Sequence, residues 1–280
     1  MGHYLPSPQD RTLNHRPRKR FGQNFLHDPA IIARIVNAIG PKPGERLVEI
    51  GPGQGAITWP LLERAGSLEV VELDRDLVAA LQQQTPAGAH LSIHSADALR
   101  FDFRALARPG ERLRVVGNLP YNISTPLLFH LLEQSEVIED MFFLLQKEVV
   151  DRITATPGNK SWGRLGVMVQ YHCAAQRLFG VGPGAFYPPP KVDSAVLHLA
   201  PYRTPPVDVG DYRVFSQLVA QAFTLRRKTL RNAARNFLTA DAMADLGIDP
   251  QRRAETLSLE EFARLSRAAE IKMGEPPSSP

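Results

Sequence analysis

Short apolar runs alternate with amphipathic segments along the first two thirds of the 280-residue chain. The apolar runs have the length of strands, and the segments between them carry apolar residues at helical spacing. The predicted strands are Arg46–Ile50, Leu68–Leu73, His90–His94, Leu113–Val116 and Asp140–Leu145, followed by Leu165–Cys173 and Ser194–Leu199. The predicted helices between them include Ile57–Ala65, Arg75–Gln84 and Thr125–Glu133. Strands that alternate with helices predict an α/β fold built on a parallel, doubly wound sheet.

Proline-rich segments suggest where this α/β region begins and ends. Residues 1–19 are polar, basic and rich in proline, and we expect a flexible arm there. The proline-rich stretch 201–206 marks a linker, and from Tyr212 onward the pattern is helical with no convincing strand. We therefore predict an α/β domain over 20–205, a small helical domain over 206–272 and a disordered tail over 273–280.

Composition narrows the classes of protein that the chain can belong to. Hydrophobic residues make up 43% of it, but no apolar run approaches the roughly 18 residues that a membrane span needs. No secretory signal pattern is visible at the amino terminus. The single cysteine, Cys173, excludes an internal disulfide and fits a reducing cytoplasm. Neither a CxxC nor an HExxH spacing occurs, so we expect no metal site.

Positive charge is concentrated in two segments, although the net charge is only +4. Arg18 and Lys19 end the arm and Arg20 follows it, and residues 225–235 hold five basic residues and no acid. Within the second segment Arg227 and Arg231 lie four residues apart, which would place them on one helix face with Arg235. Such a stripe fits contacts to nucleic-acid phosphates, and a solvated helix face is the alternative.

Four successive predicted strands end in a residue suited to binding a ligand. The first is followed by a turn that contains Gly51 and Gly53, and the second ends at Glu72, 21 residues after Gly51. A carboxylate there can accept hydrogen bonds from ribose hydroxyls, and Asp97 after the third strand can accept one from a purine amino group. The fourth strand leads into Asn118. Ligands of open α/β sheets bind at the carboxyl ends of the strands, so these residues predict one groove.

The glycine turn also satisfies the dinucleotide fingerprint G-x-G-x-x-G/A, with Ala56 in its last position. Because Glu72 has the spacing expected for NAD, an NAD-dependent oxidoreductase is a competing interpretation. Two features count against it. An acid that closes the third strand suits an adenine lying there, and the residues after the fourth strand have no role in hydride transfer.

Those residues, the tetrad Asn118-Leu119-Pro120-Tyr121, suit the alkylation of an adenine amine. The lone pair of this amine is delocalised into the ring, and acceptors aimed at its N–H groups would draw it out. The side chain of Asn118 offers a carbonyl, and Leu119 is biased to an extended conformation by the proline after it, which can turn its own carbonyl to the same point. Tyr121 offers a stacking surface for an extruded base. An ordinary proline turn after a strand is the alternative.

Six segments together resemble the ribosomal RNA adenine N6,N6-dimethyltransferases, most closely those of the bacterial small-subunit (16S) type. The resemblance covers about residues 18–265. The segments are Arg20–Leu26, Glu49–Gly53, Gly117–Ser124, Leu145–Val149, Phe186–Ser194 and Arg226–Leu230.

The resemblance implies a Rossmann-like methyltransferase sheet and S-adenosylmethionine as cofactor. It implies cofactor-binding roles for Gln23, Asn24, Leu26, Gly51, Gly53, Glu72, Leu73, Asp97, Ala98 and Asn118. The implied catalytic residues are the tetrad and Phe186, whose ring would stack on the face of the base opposite Tyr121. The implied RNA-binding residues are Arg18, Lys19, Arg20, Lys147, Arg226, Arg227, Lys228 and Arg231.

The expected reaction is dimethylation of two adjacent adenines in the 3′-terminal hairpin of small-subunit rRNA. We expect the substrate to be rRNA within an immature ribosomal subunit and the enzyme to act as a cytoplasmic monomer without membrane contact. A large-subunit (23S) adenine methyltransferase of the macrolide-resistance type is the nearest alternative. A ribosome-assembly factor that only binds RNA is an alternative from another class.

Overall fold

A computed structural model describes residues 23–274 of the chain. Its strands are β1 (Phe25–Leu26), β2 (Arg46–Ile50), β3 (Ser67–Glu72), β4 (His90–Ser95), β5 (Leu113–Asn118), β6 (Ile138–Gln146), β7 (Cys173–Val181), β8 (Phe186–Tyr187) and β9 (Ser194–Pro201). Its α-helices are α1 (Pro29–Ile39), α2 (Thr58–Ala65), α3 (Arg75–Gln84), α4 (Ser124–Leu132), α5 (Lys147–Ile153), α6 (Arg164–His172), α7 (Tyr212–Thr224), α8 (Leu230–Ala233), α9 (Ala240–Asp245) and α10 (Leu259–Gly274). The five predicted strands before residue 146 and the predicted helices between them are confirmed, with their ends moved by one or two residues.

Seven strands form one mixed sheet in the order β4-β3-β2-β5-β6-β9-β7. The pairs within β4-β3-β2-β5-β6 are all parallel, whereas β9 runs antiparallel to β6. The order reverses direction at β2, where the chain turns from one half of the sheet to the other. That reversal is the position at which open α/β sheets leave a crevice for ligands. The α/β, Rossmann-like fold predicted from the sequence is therefore present.

One predicted strand, Leu165–Cys173, is wrong. Residues Arg164–His172 form helix α6, and a strand begins only at Cys173. Most residues of this helix are buried, from Leu165 through Val169 without interruption. A helix that is apolar on all sides lacks the 3.6-residue pattern that separates helices from buried strands.

The described residues divide into two compact units. The first contains residues up to Val150 and Gln176–Pro201, and the second contains Asp151–Ala175 and the residues from Tyr202 onward. This division differs from the predicted domains, which placed 151–175 with the sheet. In the second unit the indole nitrogen of Trp162 donates to the carbonyl oxygen of Leu257 at 2.9 Å, and Trp162 is 1% exposed. The segment 151–175 thus shares a core with the helices that follow residue 202.

Local signals in the sequence explain where several helices begin and end. Asp28 caps α1 by accepting hydrogen bonds from the amides of Ala30 and Ile31, with proline at the first helical position. Gly40 ends the same helix in the left-handed conformation. No helix among residues 23–274 is both long enough and apolar enough to span a membrane. The predicted arm 1–19 and most of the predicted tail 273–280 lie outside the described residues.

Candidate active site

The turn after β2 brings main-chain amides to the crevice at the reversal of the sheet. Gly51 and Gly53 have φ of 68° and 57°, in the left-handed region that favours glycine. The amide of Gly51 donates to the carbonyl oxygen of Val71 at 2.9 Å, which ties the turn to β3. The turn leads directly into α2, so a ligand can approach both the glycine backbone and the start of this helix.

Glu72, the last residue of β3, faces this turn from the neighbouring strand. One carboxylate oxygen accepts from the amide of Gly53 at 3.3 Å and the other from the amide of Asp74 at 2.8 Å. Burial raises the pKa of Glu72 above its usual range, while the hydrogen bonds from the two amides oppose that rise. Leu73, the next residue, is 50% exposed, which leaves part of an apolar side chain open to solvent just beyond the strand end. This pair offers a carboxylate and an apolar surface side by side.

The loop after β4 carries the third predicted ligand residue. Asp97 is half-buried and accepts from the amide of Leu99 at 3.0 Å, which orients its carboxylate within the loop. Ala98 is 7% exposed. The amide of Ala96 donates to the carbonyl oxygen of Glu72 at 3.0 Å, and this bond joins the loop to the end of β3. The two acids expected to bind the cofactor therefore lie at adjacent strand ends.

Asn118 ends β5, as the sequence predicted for the start of the tetrad. Its side-chain nitrogen donates to the carbonyl oxygen of Asn24 at 3.0 Å, which leaves the side-chain oxygen as an acceptor. The amide of Leu119 donates to the carbonyl oxygen of Leu144 at 3.2 Å. The carbonyl oxygen of Leu119 accepts no hydrogen bond from any residue within 23–274. Two acceptor oxygens thus belong to consecutive residues.

A small cavity opens on this tetrad. Its lining residues are Gln23, Asn24, Phe25, Asn118, Leu119, Pro120 and Tyr121. Tyr121 is half-buried, and its hydroxyl lies 2.7 Å from the hydroxyl of Ser194. Burial raises the pKa of Tyr121, and the hydrogen bond with Ser194 partly opposes that rise. The phenol is therefore neutral near pH 7, and its ring forms one wall of the cavity.

A second small cavity adjoins the glycine turn and shares Asn118 and Phe25 with the first. The ring of Phe25 lies over Gly53, whose hypothetical Cβ would approach it to 3.1 Å. Phe25 had no predicted role, although it lies between Asn24 and Leu26, two residues predicted to bind the cofactor. Asn118 borders both cavities.

Glu49 is a second residue that the sequence reasoning left without a role. It lines the cavity at the glycine turn and is 1% exposed, and its carboxylate accepts from the hydroxyl of Thr58 at 2.6 Å. Burial raises the pKa of Glu49 to about 8, the bond from Thr58 opposes the rise, and the nearby charge of Glu72 adds to it. The sequence does contain a signal for this buried acid, since Glu49 stands among the apolar residues of strand Arg46–Ile50, directly before a glycine turn.

The structure does not bring Phe186 into either cavity. Phe186 is 2% exposed and packs in the hydrophobic core, where it lies opposite Leu26 in the two-stranded pairing of β1 with β8. Tyr187, the next residue, is 65% exposed because neighbouring residues of a strand point to opposite faces. In this arrangement the ring of Phe186 cannot stack on a base held by Tyr121, contrary to the sequence-based expectation.

The amino-terminal residues expected to bind the cofactor border this region. Gln23 lines the cavity at the tetrad, and its side-chain nitrogen donates to the carboxylate of Asp74 at 3.3 Å. Leu26 is 5% exposed and lines the cavity at the glycine turn. The amide of His27 donates to the carbonyl oxygen of Ala185 at 2.9 Å. Residues 23–26 therefore form part of the walls of the two cavities.

The residues expected to bind RNA fall into different surroundings. In the second unit, Arg226 donates to the carboxylate of Glu255 at 2.6 Å and to the carbonyl oxygen of Lys160 at 2.5 Å, so it has a structural role. By contrast, Arg227, Lys228 and Arg231 are exposed.

The predicted helical stripe of arginines is wrong. Helix α8 covers only Leu230–Ala233, so Arg227 and Arg235 lie outside it. In the first unit, Lys147 is half-buried at the start of α5. Arg18, Lys19 and Arg20 lie outside the described residues.

The chemistry of the site is that of hydrogen bonding and stacking. No group of three or more histidine, cysteine, aspartate or glutamate residues able to hold a metal ion occurs between residues 23 and 274. Two carboxylates, the glycine backbone of the turn, two adjacent acceptor oxygens and a neutral phenol ring meet at one edge of the sheet.

Comparison with known proteins places this site in a family context. The family model for ribosomal RNA adenine dimethylase matches residues 14–270. The ribosomal RNA small subunit methyltransferase A of Pseudomonas aeruginosa is 55% identical over 252 residues, which are 90% of this chain and 94% of that protein. The protein of the same name from Methylococcus capsulatus is 58% identical over 255 residues, which are 91% of this chain and 98% of that protein.

Two solved structures share the fold over most of the chain. A dimethyladenosine transferase from Plasmodium falciparum superimposes with a TM-score of 0.76 at 24% identity, covering 89% of this chain and 98% of that one. The 23S rRNA methyltransferase ErmE superimposes with a TM-score of 0.69 at 26% identity, covering 88% of this chain and 100% of that one.

Proposed function

Because the chain belongs to the ribosomal RNA adenine dimethylase family, we propose that it methylates the N6 amines of adenines in small-subunit rRNA with S-adenosylmethionine as donor. The observation that carries this proposal is the position of the tetrad. Asn118 ends β5 directly beside the glycine turn and lines the cavities on both sides. A donor held at the turn and a base held at Tyr121 would therefore share Asn118 as a common neighbour.

The residues at the strand ends fit S-adenosylmethionine by their chemistry. Gly51 and Gly53 take left-handed backbone conformations that a side chain would strain, and a Cβ at Gly53 would also meet the ring of Phe25. Glu72 would bind the ribose hydroxyls, Leu73 would contact the adenine ring, and Asp97 would accept from its amino group. When bound, the cofactor supplies an activated methyl group on a sulfonium, which leaves as a neutral thioether.

The chain's own residues position and polarise the target amine. The side-chain oxygen of Asn118 and the carbonyl oxygen of Leu119 accept from its two N–H groups as the nitrogen becomes pyramidal. These acceptors are held before the base arrives, by the bonds to Asn24 and Leu144, so they need little reorganisation during the reaction. The ring of Tyr121 holds the base flat, and this positioning supplies most of the remaining rate enhancement.

Dimethylation requires the same pocket to accept the monomethylated amine, which has a single N–H left. Two acceptors on consecutive residues suit both stages, because one of them suffices for the second transfer. A neutral amide is adequate since the sulfonium needs no strong base to react. The proton of the amine is released to solvent after the methyl group has been transferred.

Similarity in sequence favours the small ribosomal subunit over the large one as the source of substrate. The relatives named for the small subunit are 55–58% identical to this chain, whereas the 23S rRNA methyltransferase ErmE is 26% identical. We assign the target to two adjacent adenines of the 3′-terminal hairpin, presented within an immature subunit to a monomeric enzyme. The exposed Arg227, Lys228 and Arg231 would contact the rRNA phosphates.

Mass spectrometry of rRNA treated with labelled S-adenosylmethionine tests the proposal. Small subunits from a strain that lacks this modification should acquire two N6,N6-dimethyladenosines. Label in large-subunit rRNA would favour the macrolide-resistance type of activity. Binding of small subunits without any label would favour an assembly factor that only binds RNA.

A single substitution tests the role of the tetrad. Asn118→Ala should reduce methyl transfer about 100-fold or more, as loss of a preorganised acceptor does elsewhere. Its affinity for S-adenosylmethionine, measured by calorimetry, should fall much less. Asn37→Ala on the exposed surface of α1 is the matched control and should leave both quantities unchanged. Equal transfer rates in Asn118→Ala and the parent protein would exclude the assigned role.

A further inference from the structure

The hydroxyl of Tyr121 is bonded to a residue that no part of the reaction scheme above uses. The oxygen of Tyr121 lies 2.7 Å from the oxygen of Ser194, the usual distance for a strong bond between hydroxyls. The two residues are 73 positions apart in the sequence. Ser194 is 0% exposed, so water does not compete for its hydroxyl.

Ser194 is fixed by the sheet and not by a loop. It is the first residue of β9 and lies opposite Gln146, the last residue of β6, in the antiparallel pairing of these strands. Just beyond that pair, the amide of Lys147 donates to the carbonyl oxygen of Asp193 at 2.9 Å. The position of the serine hydroxyl is therefore set by main-chain bonds on both sides of it.

Tyr121, in contrast, belongs to the segment between β5 and α4. Its carbonyl oxygen accepts from the hydroxyl of Ser124 at 3.2 Å, which fixes the main chain. The ring beyond it turns about the side-chain torsions and has the cavity on one side. The bond to Ser194 is the contact that anchors the far end of this ring to the sheet.

We infer that Ser194 is a positioning residue for methyl transfer, whose hydroxyl holds the Tyr121 ring at the angle at which it stacks on the target base. The inference rests on the proposed function and adds a residue to it. Ser194 itself touches neither base nor cofactor, and it acts only through Tyr121. An apolar side chain at position 194 would leave the half-buried phenol without this partner and free to turn.

A double-mutant cycle on the full-length protein tests the inference. The proteins are the parent, Ser194→Ala, Tyr121→Phe and the double variant, with Ser266→Ala as control. Ser266 is also 0% exposed, and its hydroxyl has no hydrogen-bond partner within residues 23–274. The measurements are kcat and KM with small-subunit rRNA, and calorimetric affinity for S-adenosylmethionine.

Ser194→Ala and Tyr121→Phe should each lower kcat about five- to tenfold, because each removes one hydrogen bond that positions the ring. The affinity for the cofactor should stay unchanged. The double variant should be no slower than the slower single variant, because either change removes the same bond. Ser266→Ala should retain the parent rate. A purely structural role for Ser194 would instead lower stability and all activities together.

Stacking is read directly from RNA that carries 2-aminopurine in place of one target adenine. Its fluorescence should be quenched on binding to the parent and less quenched with Ser194→Ala, at equal affinity for the RNA. Should Ser194→Ala fail to fold, Tyr121→Phe removes the same bond from the other side and must show both the slower kcat and the weaker quenching.

Three results would overturn the inference. The first is a kcat of Ser194→Ala equal to that of the parent. The second is a kcat of the double variant that is lowered by the product of the two single factors. The third is unchanged quenching in Tyr121→Phe. A parent protein that transfers no methyl group to any rRNA would instead refute the proposed function, so the two failures are distinguishable.

Discussion

Glu49 gives the chain a dependence of stability on pH that one isosteric substitution should remove. Its carboxyl is 1% exposed at the end of β2, and burial raises its pKa from 4.5 to about 8. Replacing it by glutamine keeps the shape and an acceptor for the hydroxyl of Thr58, which lies 2.6 Å away. The substitution removes only the ability to ionise.

The magnitude follows from the displacement of the pKa. Each tenfold change in proton affinity corresponds to about 1.4 kcal/mol, so the difference between 4.5 and about 8 amounts to roughly 5 kcal/mol. Between these two pH values the folded chain keeps a proton that the unfolded chain has released. The free energy of unfolding therefore falls as pH rises through this range and levels off above about pH 8.

Urea unfolding of the cofactor-free protein between pH 4.5 and 9 measures this contribution. The parent and Glu49→Gln should differ little in stability near pH 4.5, where the carboxyl is neutral in the folded chain and only half ionised in the unfolded one. At pH 9 the variant should be the more stable of the two by several kcal/mol. Glu72 titrates in both proteins, so its own contribution largely cancels in the difference, and only its repulsion of an ionised Glu49 is counted with the effect of Glu49. Parallel stability curves for the two proteins across this range would refute the reasoning.

Two further predictions pair a substitution with a control. Gly117→Ala would place a methyl group 2.6 Å from the carbonyl oxygen of Ile50 and should destabilise the fold by about 1–3 kcal/mol in urea unfolding, whereas Gly182→Ala, with nothing within 4 Å, should not. Arg226→Ala should lower stability by about 1 kcal/mol or less, because its partly exposed ion pair is lost, with RNA affinity little changed. Arg227→Ala should leave the melting temperature unchanged. It should reduce the slope of the logarithm of RNA affinity against the logarithm of salt concentration by about one unit, because one phosphate contact is lost. Unaltered salt dependence would make Arg227 ordinary surface.

The strand ends were predictable because the geometry of a parallel sheet leaves little choice. Once the alternation of strands and helices is read, Gly51, Glu72 and Asn118 must meet at one edge. Their residue types then limit the ligand to one with hydroxyl and amino groups. Glu49 lies in the same motif, yet its role could not be predicted, because the sequence does not reveal that a carboxyl is buried and protonated.

Three other features depended on contacts that the sequence does not encode locally. Helix α6 is buried on nearly every side, so its apolar run has no period that distinguishes it from a strand. Phe186 was the residue expected to stack on the base, and only the pairing of β8 with β1 decides that its side chain points into the core. The ion pair of Arg226 with Glu255 joins residues 29 positions apart, and the charges in the sequence do not predict which two residues pair.

The pairing of β1 with β8 has a consequence for how the enzyme is made. Leu26 lies opposite Phe186, so the first strand finds its partner only after 160 further residues have been synthesised. A nascent chain that has completed β2 to β5 already contains the glycine turn. Strand β1, whose Phe25 packs over Gly53 in that turn, still lacks its partner strand β8. Domains fold as units during translation. We therefore expect the chain to bind the methyl donor only late in synthesis, when about two thirds of the polypeptide has left the ribosome.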